Sequence, residues 1–255
     1  MVSILDRMRG RANPPAVPEA EPEEEIFEEM TLQEHLEELR SRLLYSALFV
    51  AAGFVVGLAL TLRVLRIMAD MTGRPDFVLI SPLEGFATYM KVALYIGIAV
   101  AMPALIYHFV RFLAPGLTRR ERRYLYRALP FVTLMFVAGV AFAFFIVIPR
   151  GLSFLAGFGG DVFRAEFRAQ EVVSFYLTLM LWIGLVFETP VVIFLLAKLD
   201  IVTAQRLASL RKYMIILILV AAAIITPTPD PFNMFMVAAP MYALYEFGIL
   251  LARIA

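Results

Sequence analysis

The stretch LTLMLWIGLVFETPVVIFLLA, residues 177–197, contains a single charged side chain, that of Glu188. A helix of roughly 20 apolar residues crosses the hydrocarbon core of a bilayer, so this length predicts a membrane-spanning segment. A lone carboxylate at that depth is costly unless it has a partner or faces a water-filled cavity. Pro190 offers no amide hydrogen to the carbonyl of Val186. We therefore expect the helix to be disrupted beside Glu188.

The rest of the chain has the same apolar character. Hydrophobic residues make up 61% of its 255 positions, and the mean hydropathy is +0.80. Both values indicate an integral membrane protein. We predict an all-α membrane protein whose six transmembrane helices form a curved, cup-like bundle. The predicted spans are 43–62, 88–110, 126–149, 173–197, 212–226 and 232–251, of which the fifth is short for a bilayer.

The N-terminal part of the chain is polar. Residues 1–30 are acidic and rich in proline, which predicts a disordered tail, and residues 31–255 form the predicted transmembrane domain. Thr31 and Glu34 have the T-x-x-E spacing of a capping box, so the first helix should begin near Thr31. No secretory signal pattern is present in the first 42 residues, and we expect this segment to remain in the cytoplasm.

Lysine and arginine are distributed unequally between the two sets of loops. Fifteen lie in the N-terminal segment, in the second and fourth connections and at the C-terminus, whereas six lie in the opposite loops. Basic residues concentrate on the cytoplasmic side of membrane proteins. The pattern predicts a multi-pass protein of the cytoplasmic (inner) membrane, with both termini in the cytoplasm.

The composition argues against catalysis and metal binding. The chain has no cysteine and two histidines, which leaves no thiolate nucleophile and a poor basis for a metal site or a histidine-based triad. Neither HExxH nor GxSxG occurs. We expect no enzymatic activity, no cofactor and no nucleic-acid partner.

Several motifs, in order along the chain, resemble those of the TatC family of the twin-arginine protein translocase. They are HLEELRSRL (35–43), SPLEGFATYMKVALYIG (81–97), FLAPGLTRRER (112–122), FETP (187–190), RKYM (211–214), TPTPD (226–230) and APMYALYEFG (239–248). The resemblance implies a receptor for the twin-arginine signal peptides of folded precursors. It also implies recruitment of TatA-like and TatB-like single-span partners for export driven by the proton gradient. Self-association is a further expectation.

Two glutamates match the positions with which the family holds the paired arginines, Glu38 and Glu121. Carboxylates bind the guanidinium fork through two parallel hydrogen bonds, which an ammonium group cannot reproduce. From spacing alone, Glu38 can instead form an i,i+4 pair with Arg42 on a solvated helix face. Arginines flank Glu121 on both sides, and they should keep it ionised and also compete with a ligand.

Glu188 matches a family position that faces the concave interior of the bundle. We expect it to line a hydrated recess facing the signal peptide or a partner span; the alternative is a protonated Glu188 hydrogen-bonded within the bundle. The prolines Pro103, Pro149, Pro190 and Pro240 are expected to kink or end helices. The positions to which we assign a supporting role are Arg40, Pro103, Pro115, Asp230 and Glu246.

Two other classes of function compete with the receptor. A proton-coupled secondary transporter would use Glu188 as its proton relay, but it would be expected to carry paired intramembrane charges or broken helices in both halves. An intramembrane enzyme would need a nucleophile and a base at bilayer depth, and the sequence supplies neither a histidine nor a paired aspartate there.

Overall fold

A computed structural model describes residues 31–72, 77–158, 166–226 and 230–254. The predicted tail, residues 1–30, lies outside these ranges. Nearly all of the described chain is helical. The α-helices are α1 (Leu32–Met71), α2 (Pro82–Leu113), α3 (Arg119–Phe142), α4 (Ile148–Gly157), α5 (Ala169–Phe187), α6 (Thr189–Lys198), α7 (Ala204–Ser209), α8 (Arg211–Ile225) and α9 (Pro231–Ala252).

Five helical stretches of the described chain are long and apolar enough to cross a bilayer. They are α1, α2, α3 continued by α4, α5 continued by α6, and α9. The sixth pass is α8, whose 15 residues extend roughly 22 Å at ~1.5 Å per residue. Because the hydrocarbon core is about 30 Å thick, α8 either stops below the far surface or is accommodated by local thinning of the bilayer.

Several helices extend well beyond the predicted spans. α1 continues to Met71, not to residue 62, and the third pass continues to Gly157, past residue 149. The prediction ended each span where charged or proline residues begin, but a helix continues outside the hydrocarbon wherever its backbone remains hydrogen-bonded. Arg63 and Arg66 are examples, since both lie in uninterrupted α1.

α1 begins as predicted, at a capping box. The Thr31 hydroxyl accepts from the Glu34 amide at 3.3 Å, and Glu34 Oε2 accepts from the Thr31 amide at 2.8 Å. The leucines of the first turns do not pack on the described bundle, since Leu32 is 84% exposed and Leu36 is 64% exposed. This amphipathic start of α1 is therefore available to the membrane interface.

Glycine allows α1 and α2 to pack backbone against backbone. A Cβ atom added to Gly57 would lie 2.1 Å from the carbonyl oxygen of Ala93, and one added to Gly53 would lie 2.4 Å from that of Gly97. Such GxxxG spacing is typical of closely packed membrane helices. The Tyr89 hydroxyl also donates to the Leu58 carbonyl, which fixes the register of the pair.

Two passes are interrupted next to a proline. A π-helical turn, Ala143–Val147, precedes Pro149, and a turn at Glu188 separates α5 from α6 just before Pro190. Proline removes one backbone donor and collides with the carbonyl four residues earlier, so the helix must readjust there. Pro103 and Pro240 lie inside helices that continue past them, and neither ends its helix.

The core of the bundle surrounds α5. Tyr176, Leu179 and Ile183 are almost completely buried, and they belong to one apolar cluster with Ile148 of α4 and Ile249 of α9. The Tyr176 hydroxyl donates to the Met68 carbonyl of α1 at 3.4 Å. α5 therefore holds the early and late helices of the chain together.

The end of the bundle remote from the termini is held by a buried carboxylate. Glu84, in the first turn of α2, is 4% exposed and forms an ion pair with Arg168 at 3.0 Å. It also accepts from the amides of Ile80 and Gln170 at 3.1 and 3.2 Å. These bonds attach the segment before α2 to the start of α5.

Candidate functional site

The start of α1, the end of α2 and the start of α3 meet at one end of the bundle. The rings of His35 in α1 and Phe112 in α2 stack with centroids 4.4 Å apart. α2 is followed by a 3-10 turn, Ala114–Gly116, and α3 begins at Arg119. The two predicted recognition glutamates therefore lie on neighbouring elements at this end, Glu38 one turn after His35 and Glu121 in the first turn of α3.

The two carboxylate oxygens of Glu38 have different surroundings. Oε1 accepts from Arg42 Nη2 at 2.8 Å and from Arg42 Nε at 3.3 Å, so the i,i+4 pair is present. Oε2 is buried and has no hydrogen-bond partner in the structure. The Glu38 side chain is only 15% exposed. An enclosed carboxylate oxygen without a donor is energetically unfavourable, which makes it a strong acceptor for an incoming cation.

Glu121 is held by the start of its own helix. Its Oε2 accepts from the Thr118 amide at 2.8 Å, and its amide donates to the Thr118 hydroxyl at 3.3 Å. This is a second capping box, which the sequence analysis missed although the T-x-x-E spacing is present at 118–121. The cap fixes the carboxylate at the helix N-terminus, where the helix dipole favours negative charge.

His108 contributes an aromatic contact that sequence reasoning did not identify. Its ring is 7% exposed and lies parallel to that of Tyr45, with centroids 5.6 Å apart. Phe49 and Tyr107 pack against the same ring at 5.7 and 5.5 Å. This cluster joins α1 to α2 just inside the bundle from Glu38 and thereby positions the two helix ends relative to each other.

Glu188 is separate from this pair. It occupies the turn between α5 and α6, ten residues from the end of α6, which corresponds to about 15 Å along the helix. Its Oε1 is buried without a hydrogen-bond partner. The expected break in the helix is confirmed, and Glu188 lies at the turn that interrupts this apolar pass.

The sequence match to known proteins agrees with this architecture. The family model described as "Sec-independent protein translocase protein (TatC)" matches residues 34–240. The chain belongs to the TatC family. The match covers nearly all of α1, then α2 to α8 and the first part of α9 as far as Pro240, and it includes Glu38, Glu121 and Glu188.

Individual TatC proteins are similar over most of the chain. A TatC from Carboxydothermus hydrogenoformans is 39% identical over 176 residues, covering 69% of this chain and 72% of the relative. A TatC from Desulforapulum autotrophicum is 36% identical over 222 residues, covering 85% and 82%. A crystal structure described as the twin arginine translocase receptor TatC superposes with a TM-score of 0.76 at 34% identity, covering 86% of this chain and 98% of that one.

These similarities confirm the predicted TatC resemblance and the fold class, an all-α membrane protein of six helices. The protein is therefore a multi-pass membrane protein. Its relatives are named as components of a protein translocase, which is a role in transport and not in catalysis. Within the described residues no group of histidines, aspartates and glutamates is arranged to hold a metal ion.

The supporting positions are distributed over this TatC fold. Arg40 is exposed on α1, Pro115 lies in the 3-10 turn before α3, and Pro103 lies inside α2. Asp230 caps α9, with Oδ1 accepting from the Asn233 amide at 2.7 Å. Glu246, at the other end of α9, accepts from Arg211 at 2.7 Å and from the Tyr242 hydroxyl at 2.7 Å. The predicted supporting roles of these five residues stay predictions.

Proposed function

We propose that this TatC-family protein is the receptor subunit of a twin-arginine translocase. In this proposal it binds the twin-arginine signal peptides of folded precursors and recruits TatA-like and TatB-like single-span subunits for export driven by the proton gradient. The observation that carries the proposal is the enclosed, unpartnered Oε2 of Glu38 at the end of the bundle where Glu121 begins α3.

Glu38 supplies an acceptor that a guanidinium group satisfies well. Arg42 occupies Oε1 and leaves Oε2 for the signal peptide. A guanidinium presents five N–H donors in a rigid plane, so one ligand arginine can reach Oε2 while its other donors contact neighbouring carbonyls. A lysine ammonium is more strongly hydrated and loses more on entering this 15%-exposed position.

Glu121 supplies a second carboxylate whose orientation is set in advance. Because Thr118 already holds Oε2, the side chain does not have to be ordered when the ligand binds. The neighbouring Arg119, Arg122 and Arg123 surround this carboxylate with positive charge. They also repel a cationic ligand that does not pair with both glutamates, which favours a paired-arginine motif over a single basic residue.

The decisive experiment measures peptide binding to the purified protein. A labelled twin-arginine signal peptide and its twin-lysine version are titrated against wild type, Glu38→Gln, Glu121→Gln and the control Glu37→Gln, which alters an exposed neighbour. Glutamine at position 121 retains the capping box, so α3 still starts correctly. We expect wild type and Glu37→Gln to prefer arginine at least about tenfold, and each of the other two variants to lose that preference.

Two results would overturn the assignment. Equal binding of both peptides by wild type, with and without a TatB-like partner, would rule out arginine recognition by this subunit. Loss of preference in Glu37→Gln as large as in Glu38→Gln would show that general negative charge, and not the Glu38 site, attracts the peptide.

We further propose that Glu188 faces a single-span partner at the turn between α5 and α6. Its unpartnered Oε1 supports a polar contact with such a span. The proton-relay alternative would use the same unpartnered oxygen. Glu188→Gln retains a hydrogen-bonding side chain, whereas Glu188→Leu does not. We expect co-purification of a TatA-like or TatB-like subunit to survive the first change and to fail with the second. Loss of co-purification in both variants would indicate that the ionisable carboxyl group itself is needed, as in the proton-relay alternative.

A further inference from the structure

A groove with a volume of about 380 Å³ lies where α3, α6 and α9 meet, at the end of the bundle that carries both termini. Its lining includes Tyr124, Arg127, Phe131, Phe194, Leu251 and Ile254. Phe131 is 63% exposed and Ile254 is 76% exposed, so the groove opens sideways toward the membrane. The walls of the groove are apolar, and its entrance carries basic side chains.

Three cations surround the phenol ring of Tyr124 at this entrance. Arg120 Nε donates to the Tyr124 hydroxyl at 3.5 Å, Lys198 Nζ lies 5.5 Å from the ring centroid, and Arg127 lines the groove itself. The acidic group that faces this cluster is Asp200, which interacts with Arg120.

We propose that this groove binds one anionic phospholipid from the leaflet on the side of the termini, with its phosphate between Arg127 and Lys198 and an acyl chain along Phe131 and Phe194. The apolar walls match an acyl chain, and the two cations match a phosphate held at the membrane interface. Tyr124 stands where aromatic side chains ordinarily meet lipid headgroups. Arg127, one turn further into α3, reaches the same level by extending its side chain toward the interface.

The charge at the entrance selects the headgroup. A zwitterionic lipid gains little from two cations, because its own amine is repelled by them, whereas a phosphatidylglycerol headgroup carries a net negative charge. Each basic residue near a membrane surface strengthens binding of anionic lipid by roughly five-fold, since the attraction is about 1 kcal/mol per residue. Removal of both cations should therefore weaken retention of anionic lipid by roughly 30-fold.

Native mass spectrometry of the detergent-purified protein tests the proposal. Phosphatidylglycerol and phosphatidylethanolamine with identical acyl chains are titrated against wild type and the double variant Arg127→Gln, Lys198→Gln. The control is Arg206→Gln, which removes an exposed cation of α7 at the same end of the bundle but outside the groove. We expect one tightly retained phosphatidylglycerol in wild type and control, and a roughly 30-fold loss in the double variant only.

A second variant separates the groove from its charges. Leu251→Trp fills the groove and leaves both cations in place, so it should also abolish retention. Glycerol phosphate, which has the headgroup but no acyl chains, should not displace the lipid. Equal losses in the double variant and in Arg206→Gln, unchanged retention with Leu251→Trp, or displacement by glycerol phosphate would each overturn the lipid site.

Discussion

Arg42 already pairs with one oxygen of the carboxylate that is proposed to receive a ligand arginine, because it binds Oε1 of Glu38 and leaves Oε2 without a partner. The pair joins Arg42 Nη2 to Glu38 Oε1 at 2.8 Å on the same helix. Helical i,i+4 pairs contribute roughly 0.3–0.5 kcal/mol, which is small beside a bidentate contact with a ligand. Arg42 is thus a weak competitor for the carboxylate of Glu38.

Arg42→Gln should therefore bind the twin-arginine peptide about two-fold more tightly than wild type, because the competing pair is lost. Fluorescence anisotropy of a labelled peptide measures the change. Arg63→Gln, which removes an exposed cation near the other end of the same helix, is the control and should show no gain. If Arg42→Gln weakens peptide binding as much as Glu38→Gln does, then Arg42 orients the glutamate and does not compete for it.

Some local features at these residues were predictable and others were not. The capping box at Thr31 follows from four residues of sequence and is confirmed. The capping box at Thr118 has the same spacing but was not predicted, because the arginines around Glu121 favoured an interpretation in terms of ion pairs. The stacking of His108 on Tyr45 depends on the register between α1 and α2, which no local pattern encodes.

The pairing of α1 with α2 depends on the absence of side chains at their contact. A Cβ at Gly57 would overlap the Ala93 carbonyl, and the backbone there cannot move without shifting a whole helix. Gly57→Ala should lower stability by about 1–3 kcal/mol, the usual cost of overpacking. Thermal unfolding in detergent measures it. Gly157→Ala, where an added Cβ meets nothing within 4 Å, is the control; an equal loss there would implicate helix backbone effects instead.

The contact between the starts of α2 and α5 should depend on pH. Burial of Glu84 raises its pKa, but hydrogen bonds from the Ile80 and Gln170 amides and from Arg168 outweigh burial and hold the pKa below its ordinary value. Glu84 lies outside the predicted span 88–110. A carboxylate with a lowered folded-state pKa stabilises the protein above its unfolded pKa, and that contribution disappears as pH falls through the folded value.

Glu84→Gln should consequently lower the unfolding temperature by several degrees near neutral pH, and the difference from wild type should shrink as the solution is acidified. Unfolding temperatures of both proteins across an acidic pH series provide the measurement. The matched control is Glu171→Gln, because Glu171 also contacts Arg168 but its side chain is 73% exposed. A wild-type advantage that persists at acidic pH would show that shape, and not charge, makes Glu84 stabilising.

Proline alone did not determine where helices break. Pro190 was expected to disrupt its pass, and the turn at Glu188 does so. Pro149 causes a π-helical turn before it, while Pro103, Pro130 and Pro240 lie within continuous helices. The outcome depends on whether neighbouring helices leave room for the readjusted backbone, and that information is spread over distant parts of the chain.

The number and order of the passes in the bundle could be predicted because bilayer thickness sets a length that apolar segments must match. Even the short α8 was recognisable from its sequence. The central position of α5 was not, since every pass is apolar and hydropathy does not distinguish a lipid-facing helix from a surrounded one. Tyr176, Leu179 and Ile183 are core residues because several distant segments of the chain, among them α1, α4 and α9, pack in the same apolar cluster.

The orientation of the whole bundle is predicted by its basic residues, and the cysteine-free chain makes it simple to test. Ser153 in α4 and Ser209 in α7 lie at opposite ends, both are exposed, and each hydroxyl donates to a carbonyl of its own helix at 2.7 Å. Replacement of either by cysteine is therefore a mild and equivalent change.

A membrane-impermeant maleimide applied to spheroplasts should label Ser153→Cys at once and Ser209→Cys only after lysis. That outcome would place the end of the bundle that bears Glu38 and Glu121 in the cytoplasm, where precursors are made. Labelling of both variants before lysis would indicate leaky membranes and is checked with a cytoplasmic marker protein. The reverse pattern would place the two glutamates outside the cytoplasm, where they cannot meet a signal peptide before export, and the receptor proposal would fail with it.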